Sequence, residues 1–547
     1  MLRFILVRAA GCAFLLIAGI VAVAAPAAAD PTIKGFVFVP QAANLQSGGV
    51  PEPAGQIDTS GVPALDDPAI TSIIQRYIGL PIANVLLDSL RTAIGKHYHA
   101  IGRPFVNVVV PKQDVTNGVL QIVVIEGRVG QVKVEGNEWF DEEQYRRNLH
   151  LEPGGPIDNN ALQADIDWIN RNQYRKATVI ASEGVGPGAT NITIRTEEQF
   201  PLSVTSGIDN SGNAGTGLYR IYTGLDWGNA LWRGDSFNYR FTTTPEIRPL
   251  YQHALSYTTD LPWRDTLTLS LSIIDSNSAT SGSPIGSSGH TVNAGLRYQV
   301  PLPAWGTTTH SLTFGYDFKS TNNNTLFGGT SVFATTTEVN QFVGLYSAQR
   351  PDAWGSTGLT LQLVGSPGGL SALNNTATFQ TQQANADASY IYGSIGVERT
   401  TTVVPVITWF TKATLQLSNA TLLPSEQMAF GGASSNRGFV TSGVTRDNGI
   451  HLINEFRAPT LGAAIARAVG LDSETHPFVP FLFVDYGAGW NHRDSSGSWV
   501  AMTTIGPGFS LQLTRHASFR FTYGIPVQKV GPTGRELLSQ FSVSTIF

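Results

Sequence analysis

The stretch GGASSNRGF, Gly431 to Phe439, sets a single arginine among glycines and serines. A guanidinium is permanently charged and planar, and its donors are spaced to grip one carboxylate through two parallel bonds. Gly431, Gly432 and Gly438 permit backbone turns that residues with a Cβ resist, so the loop can carry the group into a narrow space. Other chemistry-bearing patterns are few. Neither G-x-S-x-G, H-E-x-x-H nor a Walker-type phosphate loop occurs. GVGPGA, from Gly184, precedes a strand pattern and reads as a hairpin turn rather than a phosphate cradle. His97 and His99 stand two apart on a predicted helix and point to different faces, a poor spacing for a shared metal. The remaining histidines are scattered. No catalytic centre, metal site or cofactor is expected, and the protein reads as a non-enzyme.

The chain opens MLRFILVRAAGCAFLLIAGIVAVAAPAAAD, basic residues ahead of a short apolar run that ends in small residues. This is the pattern of a secretory signal over 1–29, cut after Ala29. The single cysteine, Cys12, falls inside it, so the mature chain is expected to hold no thiol and no disulfide. No later segment offers ~20 consecutive apolar residues, which excludes helical membrane spans. Charged residues make up 14% against about 25% in soluble domains, while the hydrophobic fraction is only 42%. Small uncharged polar residues and 57 glycines fill the difference. A net charge of −5 gives no support to a nucleic-acid partner.

Two grammars follow one another. Up to about Phe200, helical and strand patterns mix. VLLDSLRTAIGKHY places Leu86, Leu90, Ile94 and Tyr98 on one helical face, and NNALQADIDWINR repeats the pattern with Leu162, Ile166 and Ile169. GVLQIVVIEGRVGQVKVEGN reads as two strands with a turn at Gly127 to Gly130. Two small α/β modules, 30–126 and 127–199, are expected, joined almost without a linker.

From Pro201 the period becomes two and no helix of convincing length is expected. In DTLTLSLSI, Leu267, Leu269, Leu271 and Ile273 alternate with threonines and serines, and ASFRFTYGI repeats this with Phe519, Phe521, Tyr523 and Ile525. A soluble sandwich would carry many lysines outside, yet only Lys319, Lys412 and Lys529 follow Pro201. Amphipathic strands with uncharged polar faces fit a transmembrane β-barrel, greased outside and wet within. At ~10 residues per strand, 200–547 has room for sixteen strands and long loops. The fold class expected is therefore membrane all-β, a 16-stranded barrel preceded by two α/β modules. The last strand pattern ends on Phe547, the aromatic terminus expected as the assembly signal of such barrels.

GQVKVEGNEWFDEEQYRRNLHLEPGGPI, with the following INRNQYRKATVIASEGVGPGATNITIRTEEQFPL, closely resembles the second POTRA module of two-partner secretion transporters. YIYGSIGVERT, GGASSNRGF, HLINEFRAP and FLFVDYGAGW resemble that family's barrel signatures in the same order. The resemblance implies an outer-membrane transporter of a Gram-negative bacterium, its POTRA modules in the periplasm. It implies a large secreted partner of TpsA type (an adhesin, haemolysin or toxin), passed unfolded to the cell surface without ATP. Outer-membrane lipid would surround the barrel, and barrel-assembly machinery and periplasmic chaperones would serve its biogenesis.

In this superfamily an arginine of the sixth outer loop folds back into the lumen and meets a strand aspartate. The match makes Arg437, Gly438, Phe439 and Asp485 the expected latch, on a loop inserted near 428–450. Asn436 before the arginine and Phe439 in place of the usual tyrosine depart from the common tip. Partner-binding grooves are expected around Phe105, Val106 and Val108, and around Tyr145, Arg146 and Leu149. IKGFVFVP begins so soon after the expected cleavage that no room is foreseen for the plug helix of many relatives. The sixth loop is then the main obstruction, and a leaky resting pore is expected. An insertase of the same superfamily and a passive porin stand as alternatives.

Overall fold

The computed structural model describes residues 31–547 except 214, 248, 280–284, 328–329, 405–406, 462–467, 469–476, 494–498 and 529–535. The expected signal segment and Cys12 lie outside the described residues. The chain divides into two compact units, one holding the α/β modules and the other residues 198–547 with the short segments Glu138–Gln144 and Asn172–Arg175.

In the first unit, β1 (Gly35–Val39), β2 (Ile57–Asp58), β3 (Val106–Val109) and β4 (Val119–Glu126) form a sheet in the order β2-β1-β4-β3. Helices α1 (Pro68–Gln75) and α2 (Asn84–Ala100) cover it. Asp67 starts α1 by accepting from the Ala69 N–H, and Pro68 takes the first helical position, where its missing N–H costs nothing. Leu90, Ile94 and Tyr98 recur every four residues along α2 and join Phe36, Phe38, Ile122 and Val124 in one core. The Tyr98 hydroxyl donates to Glu126 at 2.7 Å, and burial together with that carboxylate pushes its pKa up, so it stays neutral. Strand β3 ends the sheet: one edge pairs with β4, the other with no strand among the described residues.

The second module follows with β5 (Arg128–Glu135), α3 (Glu142–Arg146), α4 (Asn159–Ile169), β6 (Arg175–Glu183) and β7 (Ala189–Glu198), its sheet ordered β5-β7-β6. GVGPGA lies in the connection between β6 and β7. The turn foreseen at Gly127 to Gly130 is corrected: Gly127 instead carries the chain from one sheet to another, since β4 and β5 do not pair. A Cβ there would stand 2.6 Å from that of Phe105, which is why the junction needs glycine.

The second unit is, over the described residues, a closed antiparallel barrel of sixteen strands from Leu202–Asp209 to Ser539–Ile546, with Ala517–Tyr523 and Ile525–Gln528 forming one strand interrupted at Gly524. Closure pairs Ser542 to Ile546 with Asp209 to Thr205, and Val204 and Phe547 exchange two backbone bonds of 2.9 Å beside the seam. No edge is left for hydrocarbon to meet. Side chains alternate as a pleat requires: on the thirteenth strand, Phe478–Trp490, Leu482 and Val484 are exposed while Phe481, Phe483 and Asp485 are buried inward. Among the described residues no helix is long and apolar enough to cross a membrane.

The seventh strand, Thr308–Phe327, and the eighth, Thr330–Asp352, run to 20 and 23 residues, about twice the ~9–11 a span requires. That hairpin therefore overshoots the apolar band. The connection between the ninth strand (Gly355–Ser366) and the tenth (Tyr390–Val404) folds beside it and contains a short helix of seven residues, α5 (Thr376–Gln382), in a stretch where no helix of convincing length is expected. Asn375 caps α5 by accepting from Thr378 N at 2.9 Å. Phe379 is fully buried among Val339, Val343, Val364, Tyr390, Leu422 and Leu423.

Candidate functional site

Residues 419–447 connect the eleventh strand, Ile407–Ser418, to the twelfth, Asn448–Arg457. Fully buried Asp447 ties both feet of this connection together. One carboxylate oxygen accepts from Leu422 N and Gln427 Nε2, each at 2.9 Å, and the other from His492 N at 2.9 Å. Met428–Phe430 then pairs with Val444–Arg446, so the connection leaves its base as a narrow ribbon.

The inner wall is shaped to receive it. Gly449, Gly487 and Gly489 lie under the Phe430 ring; a Cβ at Gly489 would stand 2.6 Å from that ring, and one at Gly487 only 2.3 Å from Asn436 Oδ1. The same ring lies 4.5 Å from that of His451, whose Nε2 is 2.9 Å from the Ala429 carbonyl. Glycines of FLFVDYGAGW thus form a seat rather than a bend.

At the tip Arg437 is 2% exposed, and Asp485 is wholly buried. Arg437 Nε donates to Asp485 Oδ2 at 2.7 Å and its NH2 to Oδ1 at 2.6 Å, the two-bond grip that guanidinium geometry favours. The Arg437 backbone N–H adds a third bond at 3.1 Å. The guanidinium lies flat on Phe483, 3.7 Å above the ring centre. Its remaining NH1 donates to Glu455 on the twelfth strand. Glu455 also accepts from Arg520 on the fifteenth strand (Ala517–Tyr523) and, at 2.9 Å, from Arg457 Nε. Arg520 in turn covers Phe481 at 4.4 Å. Three guanidiniums therefore meet two buried carboxylates; Arg437 is buried with them, while the side chains of Arg457 and Arg520 are partly exposed.

Gly438, at φ 89°, adopts a conformation that side chains resist, and a Cβ there would meet Gly524 O at 2.8 Å. Phe439 is buried with Met428, Phe430, Val444, Val500 and Met502, and its carbonyl accepts from Gln540 Nε2 at 3.0 Å. A ring without a hydroxyl suits that apolar setting. Arg437, Gly438, Phe439 and Asp485 are brought together. The arrangement can hold a loop in register. Breaking a buried pair of this kind by removing one partner costs about 3–5 kcal/mol, because the other charge is stranded.

Among the expected partner-binding residues, Phe105 and Leu149 are half-buried and Arg146 is exposed, with its NH2 donating to the Val132 carbonyl at 2.6 Å. Val106 and Val108 sit on β3 with one face against the module core. Tyr145 is corrected: it is fully buried, its hydroxyl 2.9 Å from Thr196 Oγ1, and belongs to the core rather than to a binding surface. Phe547 is 72% exposed at the closing seam, its ring stacked on His516. Sequence reasoning missed Glu455, Arg457 and Arg520. The first two stand in HLINEFRAP at a spacing of two, which puts both on one face of a strand.

The sequence model of the haemolysin secretion/activation protein ShlB/FhaC/HecB matches residues 188–511. That of the ShlB-type POTRA domain matches 53–127, and a further POTRA model, described as surface antigen variable number repeat, matches 127–199. The chain is 25% identical over 450 residues to the outer membrane transporter CdiB of Escherichia coli, covering 76% of this chain and 69% of that protein. The solved structure of CdiB from Escherichia coli superposes with a TM-score of 0.72 at 19% identity, over 96% of this chain and 92% of that one. BamA from Haemophilus ducreyi lacking POTRA domains 1–3 shares the fold at a TM-score of 0.53 and 14% identity, over 88% and 97% of the two chains. With more than half of its length matched, and a closed barrel following POTRA modules, the chain belongs to the ShlB/FhaC/HecB haemolysin secretion/activation family, the outer-membrane transporters of two-partner secretion.

Proposed function

We propose that the protein is a non-enzymatic exporter which captures one unfolded exoprotein in the periplasm through its POTRA modules and passes it through the barrel to the cell surface without ATP. The observation that carries this reading is the open edge of β3, Val106–Val109, beside half-buried Val106 and Val108. An extended cargo segment can add there as a further strand, backbone bonds giving affinity and alternate side chains selectivity. A passive porin has no use for such an edge. Ordering a disordered cargo costs ~2–5 kcal/mol, so capture is weak and reversible. Folding at the surface then makes return unfavourable and supplies direction. The barrel's own insertion would draw on barrel-assembly machinery and periplasmic chaperones, with Phe547 in the terminal signal.

The test has two steps. Deleting the gene identifies the cargo as the exoprotein that disappears from the surface and medium, while other outer-membrane proteins keep their levels. A photo-crosslinker on Asn107→Cys, an exposed position of β3, then yields an adduct with that exoprotein, and the same reagent on the fully exposed Val185→Cys does not. Loss of many outer-membrane proteins would favour an insertase. Equal labelling from both positions would remove the β3 edge from capture.

A further inference from the structure

The connection that carries Arg437 has a second charged contact, on a different wall. Glu426 lies eleven residues before Arg437, and its side chain is 1% exposed. Its Oε1 is 2.7 Å from Lys319 Nζ and accepts from Ser425 Oγ at 3.0 Å; its Oε2 accepts from the Tyr392 hydroxyl at 3.2 Å. Lys319 belongs to the seventh strand and faces inward, sharing that face with Asp317 while Phe314 is exposed outside. It is one of three lysines after Pro201.

Packing does not ask for a charge here. Leu422 and Leu423, beside Glu426 in sequence, already fill the apolar space against Phe379 and Val364. A carboxylate so deeply buried is unfavourable unless a partner of opposite sign is held against it, so its presence specifies a position. The wall that provides the partner matters. Five strands separate the seventh from the thirteenth, which bears Asp485, and the fifteenth, which bears Arg520, stands half the circumference away.

We propose that Glu426 and Lys319 form a second, independent anchorage of this connection, so that it is a strap fixed to two walls of the barrel, and that this anchorage narrows the resting pore. Glu426 and Lys319 are positioning residues. Freeing Arg437 alone leaves the strap across the lumen, tethered by Glu426; a passing polypeptide needs one wall contact to open while the other holds the strap for return. The functional consequence rests on the exporter reading, whereas the geometry of the closed pore does not.

Single-channel conductance of the full-length purified protein in planar bilayers, without cargo, tests this. Lys319→Glu sets two carboxylates face to face and is expected to shift the resting conductance upward. Lys319→Arg keeps it low, and the exchange Lys319→Glu with Glu426→Lys returns it to the starting level, a rescue that lost packing alone would not show. Heat-modifiable mobility verifies folding, and Lys319→Met serves as the milder variant should Lys319→Glu not insert. Unchanged conductance in folded Lys319→Glu or Lys319→Met, or an exchange variant that stays open, would overturn the proposal. Export by the native chain, measured in parallel, separates the two ideas: a conductance shift in the variants when the native chain itself exports nothing would uphold the strap and remove the exporter reading.

Discussion

Arg437 satisfies two carboxylates with one planar group, and no other side chain can do so. Lysine would keep the charge and lose the two-bond grip on Asp485, together with the flat contact on Phe483. Arg437→Ala and Arg437→Lys are both expected to leave a heat-modifiable barrel whose ribbon, 428–446, becomes open to proteinase K where the native protein resists. The penalty at the seat should approach ~3–5 kcal/mol for alanine, which strands Asp485. Equal resistance of Arg437→Ala and native protein would show that the contact does not hold the ribbon. Arg437 and Asp485 were legible because short motifs around them mark a known pairing. Glu455 was not: alternation in HLINEFRAP says that Glu455 and Arg457 share a face, but not that a loop from elsewhere descends onto that face. Tyr145 failed in the opposite sense, since an aromatic on a short helix looks the same in sequence whether it lines a groove or fills a core.

The ribbon and the twelfth and thirteenth strands fit each other through missing side chains. Gly487→Val would push a branched Cβ into Asn436 and Phe430, atoms that already stand 2.3 Å and 2.9 Å from the position of a Cβ. Both neighbours are fully buried, so the ribbon should leave its seat while strand pairing, which uses backbone bonds alone, persists. The expected result is an inserted barrel with protease-sensitive 428–446 and raised conductance; a protected ribbon would show that the glycine seat is dispensable. The glycines were visible in FLFVDYGAGW as a pattern but not as a seat, because their meaning depends on what lies above them. Short helix α5 was not singled out for a related reason: seven residues dominated by Thr and Gln carry little amphipathic period, and the Asn375 cap is also a turn former. Its Phe379 packs with Leu422 and Leu423 at the base of the ribbon, a contact between two connections that no period in the sequence announces.

At the scale of the whole molecule, the barrel was legible because a single alternation governs it. Outward leucines and phenylalanines, inward serines and threonines and a near absence of lysine are consequences of one boundary condition, hydrocarbon outside and water within. Connections obey no such condition, so their inward course could not be read from period or composition. The central claim is that an arginine-pinned strap sits inside a barrel built to pass one polypeptide. It is tested most directly by comparing surface and medium proteins of a strain lacking this protein after complementation with the native chain or with Arg437→Ala at matched, heat-modifiable barrel levels. The account predicts that the native chain restores one large exoprotein and that Arg437→Ala restores almost none. Full restoration by Arg437→Ala would contradict it.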